Sequence, residues 1–185
     1  MKKNFLRFLC AVGLVFAASG NVMAEGIDDL QKDGEGFYLL GNLNDWKVFA
    51  QAVNEGAQDL NARFTADIEG VTENECLTTY KGHLDGQCHK LTVNINRVAD
   101  DAAPIYVLQE GGIVENLWTD GVITTKGKYA CGVCSEQYSS TIRNCVTTIT
   151  FNCNLPDNGN GDGTHGGFAG KVWTGSIYEN LVFAG

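Results

Sequence analysis

The sequence predicts an all-β protein, a short solenoid of parallel β-coils (a parallel β-helix) with one N-terminal capping α-helix. Three observations carry that expectation. A five-residue pattern returns three times in the second half of the chain, strand-like alternation runs through most of the remainder, and one amphipathic helix stands near the start.

Residues 1–24 read as a secretory signal peptide. Lys2, Lys3 and Arg7 precede an apolar run from Phe8 to Ala18, and Val22-Met23-Ala24 forms a small-residue exit before Glu25. That run is well short of the ~20 residues a membrane-spanning helix needs, and no later run exceeds it, so no membrane span is expected. The protein is therefore expected to be secreted or held at the cell surface, with cleavage near Ala24. Cys10 sits before the apolar run is complete, which argues against a lipid anchor there. Without this segment ten basic residues face 22 acidic ones, a net charge of −12, and so acidic a chain argues against a nucleic-acid partner.

Residues 25–36 are acidic and without period, and are expected to be a flexible lead-in. The next unit, 37–57, holds a short strand from Phe37 to Leu40 and then the helix. Trp46, Phe49, Ala50 and Val53 fall at i, i+3, i+4 and i+7; Asn44 is the expected N-cap, Asp45 favours the positive helix end, and Gly56 is the expected stop. A helix with such a stripe has to cover something.

The rest, 58–185, has strand character. Apolar residues alternate with polar ones over Leu60–Ile68 and Leu91–Asn96, and 23 glycines against two prolines suit short strands joined by tight turns.

The repeat sits in this region. Ile113-Val114-Glu115-Asn116-Leu117, Thr141-Ile142-Arg143-Asn144-Cys145 and Ile177-Tyr178-Glu179-Asn180-Leu181 share an Asn flanked by apolar residues at −2 and +1. Cys131-Gly132-Val133-Cys134-Ser135 corresponds in the same way to Gly166-Gly167-Phe168-Ala169-Gly170, with the polar insertion Asn154 to His165 lengthening the last interval. If successive coils stack, Asn116, Asn144 and Asn180 form an inward-turning ladder of amides, each donating to the next. The competing reading makes them ordinary turn residues on the surface. Val114, Ile142 and Tyr178 then form one interior row, and Leu117, Cys145 and Leu181 another.

These residues resemble the GLUG-motif proteins, exported right-handed parallel β-helix proteins of Bacteroidetes-type bacteria. Gly166-Gly167-Phe168-Ala169-Gly170 and Ile142-Arg143-Asn144-Cys145 resemble the two halves of their repeat, and Tyr80 to Thr92 resembles its opening. The resemblance covers about residues 37–185. It implies a right-handed β-helix plugged by the segment from Tyr38 to Gly56, used as a module in surface proteins, adhesin-like proteins and some proteases with a separate catalytic domain; no cofactor is expected.

Six cysteines remain beyond the signal: Cys76, Cys88, Cys131, Cys134, Cys145 and Cys153. An even count in an exported chain points to disulfides, with the pairing left open. Zinc is disfavoured because Cys145 and Cys153 are too far apart for a ligand pair, and Cys131 cannot bond Cys134 if the segment between them is extended. Asn158-Gly159-Asn160-Gly161-Asp162-Gly163 opens like a calcium loop, but the twelfth position is Ala169, so no metal is expected. His83, Asp85, Cys88 and His89 lack the geometry of a nucleophilic site, since adjacent strand residues face opposite ways.

No cluster of acids at matched repeat positions is recognised, so the chain is expected to be non-enzymatic. The candidate ligand-binding residues are Trp118, Trp173 and Tyr129, with Tyr138 and Tyr178 nearby in sequence, for a glycan or a host or cell-surface protein. The alternative is a carbohydrate-active enzyme of the polysaccharide lyase or hydrolase kind. Asn180 to Gly185 parallels Asn116 to Gly121, so the last coil is expected to offer strand edges to a partner or to further chain.

Overall fold

In the computed structural model of the chain, residues 26–153 and 164–185 are described; the expected signal peptide and the calcium-like loop lie outside them. Strand β1 (Tyr38–Leu40) leads into helix α1 (Leu43–Asn54). The chain then runs through β2 (Ala62–Phe64), β3 (Ile68–Val71) and β4 (Leu77–Tyr80). It continues through β5 (His83–Asp85), β6 (Lys90–Arg97), β7 (Asp101–Ala102) and β8 (Ile105–Leu108), then β9 (Ile113–Glu115), β10 (Trp118–Thr125), β11 (Tyr129–Cys131) and β12 (Cys134–Gln137). A further round holds β13 (Thr141–Arg143), β14 (Val146–Thr147), β15 (Thr150–Cys153), β16 (Thr164–Gly166) and β17 (Ala169–Val172), followed by β18 (Ile177–Glu179) and β19 (Val182–Phe183).

These strands form four parallel sheets. Sheet I is ordered β1-β2-β5-β9-β13-β18, sheet II β3-β6-β10-β14-β19 with β15 also on β10, sheet III β7-β11-β16 and sheet IV β4-β8-β12-β17. From β5 onward the chain visits I, II, III and IV in that order and returns to I one strand further along. An all-β fold of parallel sheets with one helix is what the sequence implied.

The registers align the repeats. Ile113, Thr141 and Ile177 are partners in sheet I, while Cys131 pairs with Gly166 and Cys134 with Ala169. In the same sheet Tyr38, Ala62, Leu84, Val114, Ile142 and Tyr178 form one row, buried up to Ile142 and exposed at Tyr178. Leu117 and Cys145 are buried and Leu181 half-buried.

Helix α1 lies against the start of this arrangement. Trp46, Phe49, Ala50 and Val53 are all buried; Trp46 meets Phe64 edge-on at 6.0 Å, and Phe49 meets Tyr80 at 6.1 Å. Fully burying one such side chain contributes about 1.5–3 kcal/mol. The cap is Asn42 rather than Asn44. Its extended backbone (φ −161°) lets its side chain accept from the amides of both Asn44 and Asp45, which places Asn44 inside the first turn.

Two further expectations change. The alternation from Leu60 to Ile68 covers two strands, because the chain turns between Phe64 and Ile68 and passes from sheet I to sheet II while keeping its inside-outside order. The lead-in is held in place: Asp33 and Glu35 pair with Arg63, and the Phe37 ring lies edge-on to His83 at 5.1 Å.

The six cysteines are free thiols, a finding that does not favour disulfides. Burial pushes the Cys76, Cys131 and Cys145 thiols up to about 12 and Cys134 well above its usual value, so they pack as small apolar groups. Cys88 is the exposed one.

Candidate functional site

Sheet I carries a charged row that the sequence reading missed. Arg63, Asp85, Glu115, Arg143 and Glu179 are successive register partners, so side chains 22 to 36 residues apart stand beside one another. Charged residues do fall at matched repeat positions: Glu115, Arg143 and Glu179 each immediately precede the repeated Asn, two acids with a base between them, and that was the available signal. Glu115 accepts from His83 Nε2 at 2.6 Å and from Arg143 Nε at 2.5 Å. Asp85 accepts from Arg63 Nε at 3.4 Å, from the Gln87 amide N–H at 3.1 Å and from Asn116 Nδ2 at 3.0 Å.

Asn116, Asn144 and Asn180 do stand in line. Asn180 Nδ2 donates to Asn144 Oδ1 at 3.0 Å, and Asn144 Nδ2 to Asn116 Oδ1 at 3.2 Å. They are not inward-turning. Each has φ of 51–52°, the left-handed conformation that Asn tolerates, at the corner between sheets I and II, and their side chains are part-exposed to exposed. The ladder and the turn are thus the same feature.

Two carboxylates of the charged row, Asp85 and Glu115, are held ionised. Burial acts to raise the Asp85 carboxyl, but hydrogen bonds from Asn116 and Gln87 and the Arg63 charge outweigh it and leave it below the usual range. For Glu115, bonds from Arg143 and His83 likewise outweigh burial. A depressed folded-state value contributes stability that is present above the unfolded pKa, about 4, and is lost as pH falls through the folded value. Urea midpoints measured from pH 6 down to pH 2 should therefore fall below about pH 4, less steeply in Glu115→Gln; identical slopes would show that Glu115 is not linked to folding.

Sheet IV presents different chemistry. Tyr138 and Trp173, which follow β12 and β17, stack with ring centroids 5.2 Å apart and 13° between planes. Both donate to Glu136 Oε2, Trp173 from Nε1 at 3.4 Å and Tyr138 from its hydroxyl, and that bond raises the Tyr138 phenol. Lys171, the register partner of Glu136, places Nζ 4.5 Å from the Trp173 ring centroid. The result is an aromatic pair, Trp173 exposed and Tyr138 half-buried, edged by a carboxylate and an ammonium.

The three predicted ligand residues are distributed over three sheets. Trp173 is in this pair, Tyr129 opens β11 on the adjoining sheet III, and Trp118 opens β10 on sheet II. Trp118 faces outward (38% exposed) but is engaged: Lys90 Nζ lies 4.1 Å over its ring, and Nε1 donates to Thr148 Oγ1 at 2.8 Å.

Asp101 on sheet III is the acid of opposite character. Burial, the Glu136 charge and Asp100 push its carboxyl up against the opposing pull of Arg97. A shallow pocket of about 400 Å³ between α1 and residues 74–75 is lined by groups already engaged, Glu75 with Lys47 and Thr72, Asn54 with Thr78 and the Cys76 carbonyl. Among the described residues no three His, Cys, Asp or Glu side chains are grouped to hold a metal, and no helix is long and apolar enough to cross a membrane.

No protein-family model, curated protein or solved structure matches the chain. The likeness to GLUG-motif proteins therefore rests on the motif residues alone.

Proposed function

We propose that the chain is an exported, non-enzymatic module, at the cell surface or released, whose four sheets are the faces of one right-handed parallel β-helix and which binds glycan on the face of sheet IV. The cyclic order of the sheets and the preference of parallel crossovers for right-handed turns support the fold. The single observation that carries the binding reading is the Tyr138–Trp173 pair with Glu136 and Lys171 at its edge. A pyranose presents an apolar face that packs on such rings and hydroxyls that a carboxylate and an ammonium can bond. The pairing of Asp85 and Glu115 supports the non-enzymatic part, because a glycosidase needs one carboxyl kept protonated and both of these are held ionised.

The test is a titration of the protein against neutral and acidic oligosaccharides. Trp173→Ala should weaken binding about tenfold or more, the equivalent of about 1.4 kcal/mol, while Trp118→Ala changes it little. Equal binding by wild type and Trp173→Ala, or no binding at all, defeats the site.

A carbohydrate-active enzyme is the second reading, favoured by Asp101, whose carboxyl is raised in part by the Glu136 charge. Reducing ends or unsaturated products released from a polysaccharide panel, and lost in Asp101→Asn, would replace the first reading with this one.

A further inference from the structure

The edge strand β18 repeats, in sequence, a strand whose covering is seen elsewhere in the fold. Ile113-Val114-Glu115-Asn116-Leu117 and Ile177-Tyr178-Glu179-Asn180-Leu181 differ only at their second position. The first is covered by β13, the strand of Thr141-Ile142-Arg143-Asn144-Cys145. β13 covers it through four kinds of contact. Ile142 stacks on Val114 in the interior row. Arg143 Nε reaches Glu115 Oε2 at 2.5 Å. Asn144 Nδ2 donates to Asn116 Oδ1. The backbone N–H of Asn116 donates to the Arg143 carbonyl at 3.2 Å.

On β18 the same groups are present without their partners. Among the described residues no strand pairs with its outer edge and no donor reaches Asn180 Oδ1. Of the eight exposed large apolar side chains among the described residues, six cluster on and beside β17, β18 and β19: Val172, Trp173, Ile177, Tyr178, Val182 and Phe183, at 43–54% exposure. The charge on β18 itself is Glu179, and its row offers it one cation on the side already occupied, Arg143.

We propose that the β18 edge docks an extended segment of another polypeptide, added as a parallel strand, with the pattern apolar residue, Arg or Lys, Asn, small apolar residue. The basic side chain pairs with Glu179, the incoming Asn amide donates to Asn180 Oδ1, and the preceding apolar residue covers Tyr178. Main-chain bonds to a free strand edge supply affinity in this mode, and the side chains set specificity. A second copy of this chain is disfavoured as the occupant, because its own Arg143-Asn144 pair is already used inside its fold and its edge would bring a Glu179 carboxylate rather than a cation.

The experiment uses a synthetic peptide spanning residues 139–148 with Cys145→Ala, titrated into the protein and followed by tryptophan fluorescence. Saturable binding is expected, weakened about tenfold or more by Arg143→Glu in the peptide, about 1.4 kcal/mol. It should be weakened similarly by Glu179→Arg in the protein and restored when the two changes are combined. Glu179 is exposed, so the protein variant tests the edge without disturbing the core. Absence of binding, or equal binding by the Arg143→Glu peptide, overturns the proposal. Concentration-dependent dimerisation with no peptide effect overturns it in favour of a second copy. Saccharide binding at Trp173 is read separately, so either reading can fail alone.

Discussion

Replacing Gly121 by alanine should destabilise the protein by about 3–5 kcal/mol, enough to unfold a marginal domain. Gly121 lies within β10, opposite Val93 of β6, with φ of +107°. A Cβ there would stand 2.0 Å from the Val93 carbonyl oxygen and 3.0 Å from Val93 N and C. Those atoms are backbone in the longest strand pair of the fold, eight residues in register, so relief requires moving β10 away from β6. Two costs add: the left-handed conformation and the clash. Gly111→Ala separates them, because Gly111 also has positive φ (+79°) but nothing within 4 Å of its added methyl, and it should cost about 1 kcal/mol. Urea denaturation of the three proteins measures both, and equal midpoints for the two variants would show that the β10–β6 approach is not the constraint.

Trp46→Ala should be comparably severe, about 3–5 kcal/mol. The indole is buried against Phe49 and Phe64, and Nε1 donates to the Glu75 carbonyl at 2.9 Å, so truncation leaves both a cavity and an unpaired acceptor. Because α1 covers the start of the parallel sheets, its loosening also exposes Phe64 and Tyr80. The variant is therefore expected to bind a hydrophobic dye before its main unfolding transition, whereas Trp46→Phe, which keeps most of the volume, is not. A Trp46→Ala protein as stable as wild type would mean that the helix contributes nothing to the core.

The parts of the fold legible in sequence were those written locally. The helix stripe was visible because four apolar residues share one face, and the relative placement of Asn116, Asn144 and Asn180 because each copy repeats its neighbours. The charged row was equally visible in principle, but Glu115, Arg143 and Glu179 look individually like ordinary surface charges, and only register makes them partners. Asp85 was hidden for a different reason: Gly86 stands where the later copies have Asn, so the second round does not match the pattern. The Tyr138–Trp173 pair depends on an interval that contains the insertion from Asn154 to His165, and an insertion destroys counting. Asn42 was passed over as the cap because Asn44 lies closer to the apolar stripe, whereas the deciding property is backbone conformation.

The amide ladder also has a sense. Each Nδ2 points toward the preceding Asn, and the series terminates on the Asp85 carboxylate, so every link donates the same way and each bond polarises the next. A one-residue slip of β9 or β13 would break two links at once, and one of β5 or β18 a single link, which makes the row of corners a register lock. It also gives the ladder unlike ends, one closed by a fixed negative charge at Asp85 and one left with an unspent acceptor on Asn180, so further amides can be added only at the second.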